Sequence, residues 1–435
     1  MEQLNIRLSR NRITFIIFII ILHLSLDLSY YFVISPQYAY EGFTLNPDML
    51  KLVESVFFTV LIASILPWKL KKPSDFLINF LFMFPVLPTL SLYWLRGDSR
   101  VYTYMLIASF ILINTIIRIT PIIKLSRLKG GKQIALIASF IGVLIVFVFL
   151  LRSGGLRFFN LNLLNVYNFR REVGAVINVG LFSYINTWAY KVLNPALISW
   201  SLYRRRYGLF VLFTGLQVIF FGISSHKSVL FYPLMIIAVF ILMRRFEKVH
   251  IFPLALSGAI AFTALIALIF KQILPASLLT RRVLFVPAQL NYAYYDFFSS
   301  EGFVYMSNSI LSSFIDYPFA YPPPQMISLY LQGHTNTWMN NGFLATSYMH
   351  FGFSGMIIFS FIVGFLLDIV DSLSKDRLPL WFSISLVVVP FLSLFTSADL
   401  TTALLTHGLG LSLVILWLFS SRSTSVEGRD KPSVQ

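Results

Sequence analysis

A succession of long apolar stretches constrains this chain more than any other feature. Each is long enough to cross a hydrocarbon layer of about 30 Å, for which a helix needs roughly 20 residues. They fall at 13–34, 49–68, 75–95, 101–123, 133–151, 177–202, 207–223, 228–243, 249–271, 342–368, 379–397 and 400–420. Lipid offers no partner for backbone polar groups, so stretches of this length predict helices, and twelve of them predict an all-α polytopic membrane protein. Composition agrees: 57% of the 435 residues are hydrophobic and 12% are charged, against about a quarter charged in soluble domains. Soluble, disordered and fibrous classes are thereby excluded. Cysteine is absent, which removes disulfides, thiol catalysis, iron–sulfur clusters and cysteine-ligated zinc. The first stretch follows Arg7, Arg10 and Arg12 like a signal peptide, yet no small-x-small cleavage site follows and His23 and Asp27 interrupt it. A retained first helix is expected.

The chain carries 34 Lys and Arg against 18 Asp and Glu, a net charge of +16. No soluble, aromatic-interleaved basic module exists to put that charge on nucleic acid, so it must orient the protein or hold an anion. With the N-terminus inside, clusters such as Lys69-Leu70-Lys71-Lys72, Arg204-Arg205-Arg206 and Arg244-Arg245 fall on the inner side, and cations favour that side about two to one. That bias predicts the orientation and an even helix count. The expectation is one membrane domain over 1–435, with two long outer connections, 152–176 and 272–341, that hold the function. Within the second, apolar residues from Leu284 to Phe298 and from Phe303 to Phe314 recur at near-helical spacing. They predict two amphipathic helices lying along the outer membrane face. Pro318 and Pro322-Pro323-Pro324 close them, and a Gly/Asn/Thr-rich stretch from Gly333 to Gly342 leads back into the membrane.

Arginine on the outer side opposes the topology bias, so Arg170-Arg171, Arg281-Arg282 and Lys227 ask for a reason. A phosphate-rich ligand supplies one, since guanidinium forks bind phosphate bidentately and ammonium acts as a point charge. The alternative is that these cations sit among lipid headgroups. Outer carboxylates are few: Glu41, Asp48, Asp98, Glu172, Asp296, Glu301 and Asp316, with no D-x-D among them. The six histidines show no zinc-ligand spacing. A metal-independent reaction without cofactors is expected. Glu172 and Asp296 are each either a general base or an arginine's ion-pair partner, and His334 sits where an imidazole could take a proton from a sugar hydroxyl. Asp27, Lys191, Asp399 and His407 fall inside apolar stretches and are either functional or paired between helices.

The motifs Arg170-Arg171-Glu172-Val173, Tyr203-Arg204-Arg205, Lys227, Arg281-Arg282-Val283-Leu284-Phe285-Val286-Pro287 and Asn340 through Gly355 (the residues opening the tenth stretch) occur in an order that resembles the bacterial O-antigen polymerase family. These Wzy-type enzymes polymerise oligosaccharide repeat units. The likeness is best over 165–360. It implies a GT-C-like, membrane-embedded, inverting and metal-independent glycosyltransferase of lipopolysaccharide biosynthesis in the bacterial inner membrane, with its active site facing the periplasm. Undecaprenyl-diphosphate-linked glycans would be donor and acceptor, and a chain-length regulator protein is a further implied partner. Carried over by position, Arg171, Lys227, Arg281 and Arg282 would contact the diphosphate, with Arg170 and Asp296 beside them, and Asn340 would match an asparagine of related polymerases.

The related O-antigen ligases have a His-Asn pair before an equivalent glycine-containing helix, and the register puts Asn341 where that histidine would stand. Asparagine cannot act as a base. The proton acceptor is therefore open between His334, Glu172, Asp296 and solvent or phosphate oxygen. A lipid-linked oligosaccharide flippase is the competing expectation, although a flippase wants its cations lining a central cavity and Lys191 alone is clearly intramembrane.

Overall fold

The computed structural model describes residues 2–123, 125–154, 157, 159–161, 180–224, 227–245 and 251–421. Its principal helices are α1 (Glu2–Ser29), α2 (Met49–Ile65), α3 (Pro73–Leu81), α4 (Leu87–Leu95), α5 (Arg100–Ile119), α6 (Gly131–Arg152), α7 (Phe182–Trp188), α8 (Asn194–Tyr203), α9 (Tyr207–Ser224), α10 (Lys227–Arg245), α11 (Ile251–Phe270), α12 (Val286–Glu301), α13 (Pro323–Gln332), α14 (Phe343–Ser374), α15 (Leu380–Thr396), α16 (Leu400–Leu404) and α17 (Leu409–Phe419). Wider π turns extend α1 (Tyr30–Ile34), join α3 to α4 (Phe82–Val86), join α7 to α8 (Ala189–Leu193) and lead into α12 (Ser277–Phe285).

Each of the twelve apolar stretches is helical over most of its described length, and no strand occurs among the described residues. Nine helical runs there are long and apolar enough to cross a membrane, and Leu380–Thr396 is a shorter apolar helix. The chain is a multi-pass, all-helical membrane protein. α1 shows the reason locally. Phe15, Ile19, Leu22 and Leu26 are buried on one face while Ile13, Ile17, Leu24 and Leu28 are exposed on the other. A helix apolar on both faces needs lipid on its outer one.

The described helices gather into two compact units. The first comprises 1–120, 246–368 and 392–401. In it α1 packs on α2 and α11, α2 on α4, and α12 on α4. Its helix starts are set by short polar side chains. Asp48 accepts from the Leu50 and Lys51 N–H groups at 2.9 and 3.2 Å, Ser99 accepts from Tyr102, and Asp75 accepts from Lys71 and Lys72 at 2.8 and 3.1 Å. Caps of this kind are each worth about 1 kcal/mol.

The second connection departs from its sequence pattern in three ways. α12 is a helix, but Pro287 through Tyr294 are all buried, so it is packed inside the unit on every face there and is not amphipathic. Tyr292 holds it there, bonding Thr103 Oγ1 at 2.8 Å and donating to the Thr89 carbonyl at 3.1 Å. Residues 305–314 form turns and not a second helix. Their start is captured by α14, which breaks at Phe351 and Gly352 (φ +60° at the glycine). The Met349 and His350 carbonyls accept from Val304 and Tyr305 at 2.9 and 3.2 Å, and His350 Nδ1 accepts from the Met306 N–H at 3.2 Å. That leaves the His350 proton on Nε2, 3.4 Å from Asp399 Oδ1. Finally, the proline triplet does not only end a helix; Pro323 opens α13, where a missing N–H costs nothing.

The second unit comprises 121–245, 369–391 and 402–435. Within it α9 packs on α8 and α10, and α6 packs on α17. An amide pair ties the helices together inside the apolar layer. Asn194 Nδ2 donates to Gln217 Oε1 at 2.6 Å and to the Phe213 carbonyl at 3.0 Å, while Gln217 Nε2 donates to the Tyr190 carbonyl at 2.8 Å. Bonds of this kind between membrane helices contribute about 0.6 to 2 kcal/mol each.

Candidate functional site

α1 does not stop at the edge of its apolar stretch. Through the Tyr30–Ile34 π turn and the Ser35–Tyr38 turn it runs into a 3₁₀ turn, Ala39–Glu41, closed by Gly42 in the left-handed region at φ +88°. A side chain at Gly42 would be strained by that angle, and its Cβ would stand 2.8 Å from Gln289 Nε2. Glu41 is thereby delivered beside the π helix Ser277–Phe285, which carries Arg281 and Arg282. The chain then enters α12, leaves it, forms α13, turns at Gly333 and returns over the same place. Three bonds pin the return: Ser328 Oγ donates to the His334 carbonyl at 2.7 Å, Gln325 Nε2 to the Thr335 carbonyl at 2.9 Å, and Tyr294 Oη to the Met339 carbonyl at 3.0 Å.

These segments enclose a cavity of about 270 Å³ lined by Glu41, Arg281, Arg282, Val286, Gln289, Leu290, Leu331, Gln332, Thr337, Trp338, Met339 and Asn340. Arg281 is fixed from three sides. It pairs with the Glu41 carboxylate, donates from Nε to Ser277 Oγ at 3.2 Å, and lies over the Tyr38 ring at 4.1 Å. Among the described residues, two guanidiniums against one carboxylate leave the lining net positive. Around them stand amides from Gln289, Gln332 and Asn340, the Thr337 hydroxyl, and the 59% exposed ring of Trp338. Anion forks, amide hydrogen bonds and an open aromatic face together suit a phosphorylated polar ligand with a stackable ring.

The wall behind Glu41 is polar and fixed. Gln289 Nε2 donates to the Glu41 carbonyl at 2.8 Å. Arg96 donates to the Gly42 carbonyl at 3.2 Å and pairs with Asp98 at 2.8 Å. Burial pushes the Asp98 carboxyl up to about 6, against the pull of Arg96. Burial likewise raises Asp296, which Arg96 partly offsets.

Of the residues singled out by sequence, Arg281, Arg282 and Asn340 meet at the cavity. Asn341 turns inward instead; it is buried, donates to the Pro287 carbonyl at 3.1 Å and Asn291 Oδ1 at 2.9 Å, and accepts from the Gly342 N–H. His334 is exposed, and neither it nor Asp296 lines the cavity. Lys227 opens α10 in the second unit. Arg170, Arg171 and Glu172 lie outside the described residues. Of the intramembrane polar residues, Asp27 stands 3.6 Å from His23 one helical turn away, and Asp399 faces His350. Lys191 lies in the π turn between α7 and α8. Among the described residues no three His, Asp or Glu side chains come together as metal ligands.

Sequence reasoning did not assign Glu41, Gln289, Gln332, Thr337 or Trp338 to the site. A tryptophan within a Gly/Asn/Thr-rich stretch was the one available signal, because an apolar ring in such surroundings has no core to enter. No family model, curated protein or solved structure matches this chain.

Proposed function

We propose that this chain is a membrane-embedded glycosyltransferase that joins undecaprenyl-diphosphate-linked oligosaccharide repeat units into O-antigen polysaccharide at the periplasmic face of the bacterial inner membrane, with inversion and without a metal. The observation that carries the reading is the meeting of the Arg281-Arg282 pair with Asn340, from a separate stretch of the chain, on one cavity with Trp338 and a set of amides. Diphosphate is already a good leaving group, so such an enzyme has to orient the acceptor hydroxyl and stabilise the negative charge that grows on the departing oxygen. Two guanidiniums serve the second need, and amides beside an open indole serve the first. A cavity of about 270 Å³ is the size for one sugar ring or a diphosphate, so the remaining sugars of donor and acceptor lie outside it.

The cellular test is where lipid-linked single repeat units accumulate when the protein is removed. A polymerase leaves them on the outer leaflet, reachable by glycosidases added to spheroplasts. Accumulation on the inner leaflet would contradict the proposal and indicate a flippase.

A further inference from the structure

We infer that Glu41 is the catalytic base of this site, taking the proton from the acceptor hydroxyl as the glycosidic bond forms, and that diphosphate binding releases it from Arg281 to do so. The inference rests on the polymerase reading proposed above. Its ground is that, among the described residues, the cavity holding both arginines has one carboxylate in its lining, Glu41. No described histidine belongs to that lining, and neither His334 nor Asp296 reaches it.

A base must be held still as well as be present. Glu41 meets this through its backbone. Its carbonyl accepts from Gln289, the next carbonyl accepts from Arg96, and Gly42 takes up the left-handed turn that allows both. Its carboxylate meets Tyr40 on its own segment and Arg281 on the π helix; Tyr38 lies against Arg281, Arg282 lines the same cavity, and Arg96 stands behind Gly42. The carboxylate is occupied by the Arg281 fork. A diphosphate offers the same fork more negative charge and more acceptor oxygens. When it takes Arg281, Glu41 loses its partner and its carboxylate is freed beside the hydroxyl to be deprotonated.

The step balances without a co-reactant. The acceptor oxygen forms a bond to the donor's anomeric carbon, the bond from that carbon to the diphosphate oxygen breaks, and its electron pair leaves on the diphosphate held by Arg281 and Arg282. The hydroxyl proton passes to a Glu41 carboxylate oxygen and is returned to solvent when products leave.

Glu41→Gln keeps the shape and removes the base, so it separates this role from a purely structural one. In a polymerisation assay with defined lipid-diphosphate repeat units, kcat should fall by about 10²-fold or more. The acid limb of the wild-type kcat–pH profile should vanish from whatever rate remains. Binding of inorganic pyrophosphate should stay equal or tighten, because a competing carboxylate has gone; retained binding also shows that the cavity is intact. Glu41→Ala should regain rate on addition of formate. If Glu41 only steadies Arg281, Glu41→Gln will instead weaken pyrophosphate binding and raise KM with kcat and its pH profile kept, and formate will do nothing to Glu41→Ala. Either of those results overturns the inference while the wild-type ladder leaves the polymerase reading standing. No ladder from the wild-type protein overturns both.

Discussion

Arg281 lies over the Tyr38 ring with its guanidinium carbon 4.1 Å from the ring centre, while its nitrogens reach Glu41 and Ser277. Stacking on one side and hydrogen bonds at the edge fix the plane of the fork, not merely its charge. An ammonium would keep the charge and lose both the plane and the bidentate geometry. Arg281→Lys should therefore lose polymerisation almost as fully as Arg281→Ala, by roughly a hundredfold. Near-normal polymer from Arg281→Lys would make this residue an anchor to lipid headgroups, and would move the search for the site to Lys191 and Asp27.

Trp338 offers an open indole beside Asn340 and Gln332, and its proposed partner is the apolar face of a sugar ring. Losing such a contact costs about 1 kcal/mol. Trp338→Ala should raise KM for the lipid-linked repeat unit about fivefold to tenfold with kcat little changed, and Trp338→Phe should recover most of the affinity. Unchanged KM in Trp338→Ala would remove the ring from the binding account.

How far the sequence foretold this arrangement can be judged at particular residues. Apolar runs report their own helices because lipid leaves the backbone no other option, and each of the twelve stretches is helical over most of its described length. The near-helical spacing from Phe303 to Phe314 misled for a tertiary reason. Gly302 breaks the chain at φ +95°, Tyr305 and Met306 take positive φ, and the N–H groups of 304–306 find partners in the broken helix α14, which no local pattern announces. In the site, the arginine pair stood out because outer cations oppose the topology bias, whereas Asn340 was marked by the family resemblance alone. Glu41 did not, since its meaning depends on the end of the first helix meeting the π helix at Arg281.

Orientation is a separate claim, and the absence of cysteine makes it easy to test. Ser300 and Asn336 are exposed in the second connection, and Ser126 is exposed between α5 and α6. Single cysteines at the first two should react with an impermeant maleimide from outside permeabilised-outer-membrane cells, and one at Ser126 only after lysis. The reverse pattern would invert the topology.

The Arg96–Asp98 pair gives a pH dependence of stability with a definite sign. Burial raises the folded-state Asp98 carboxyl to about 6, above its usual value of about 4. The folded protein thus binds this proton more tightly than the unfolded chain. The contribution is full below about pH 4 and is lost as pH rises through about 6, amounting to roughly 3 kcal/mol. Measured in detergent, the melting temperature of the wild-type protein relative to Asp98→Asn should fall across that window. A difference that does not change with pH would refute the assignment.

The most direct test of the central claim is polymerisation by the purified protein. Incubated with chemically defined undecaprenyl-diphosphate repeat units and EDTA, it should build a ladder of products, each one repeat unit longer than the last, with the anomeric configuration inverted at every new linkage. Absence of a ladder, in a preparation that moves the same lipid-linked units from one leaflet of a vesicle to the other, would contradict the account.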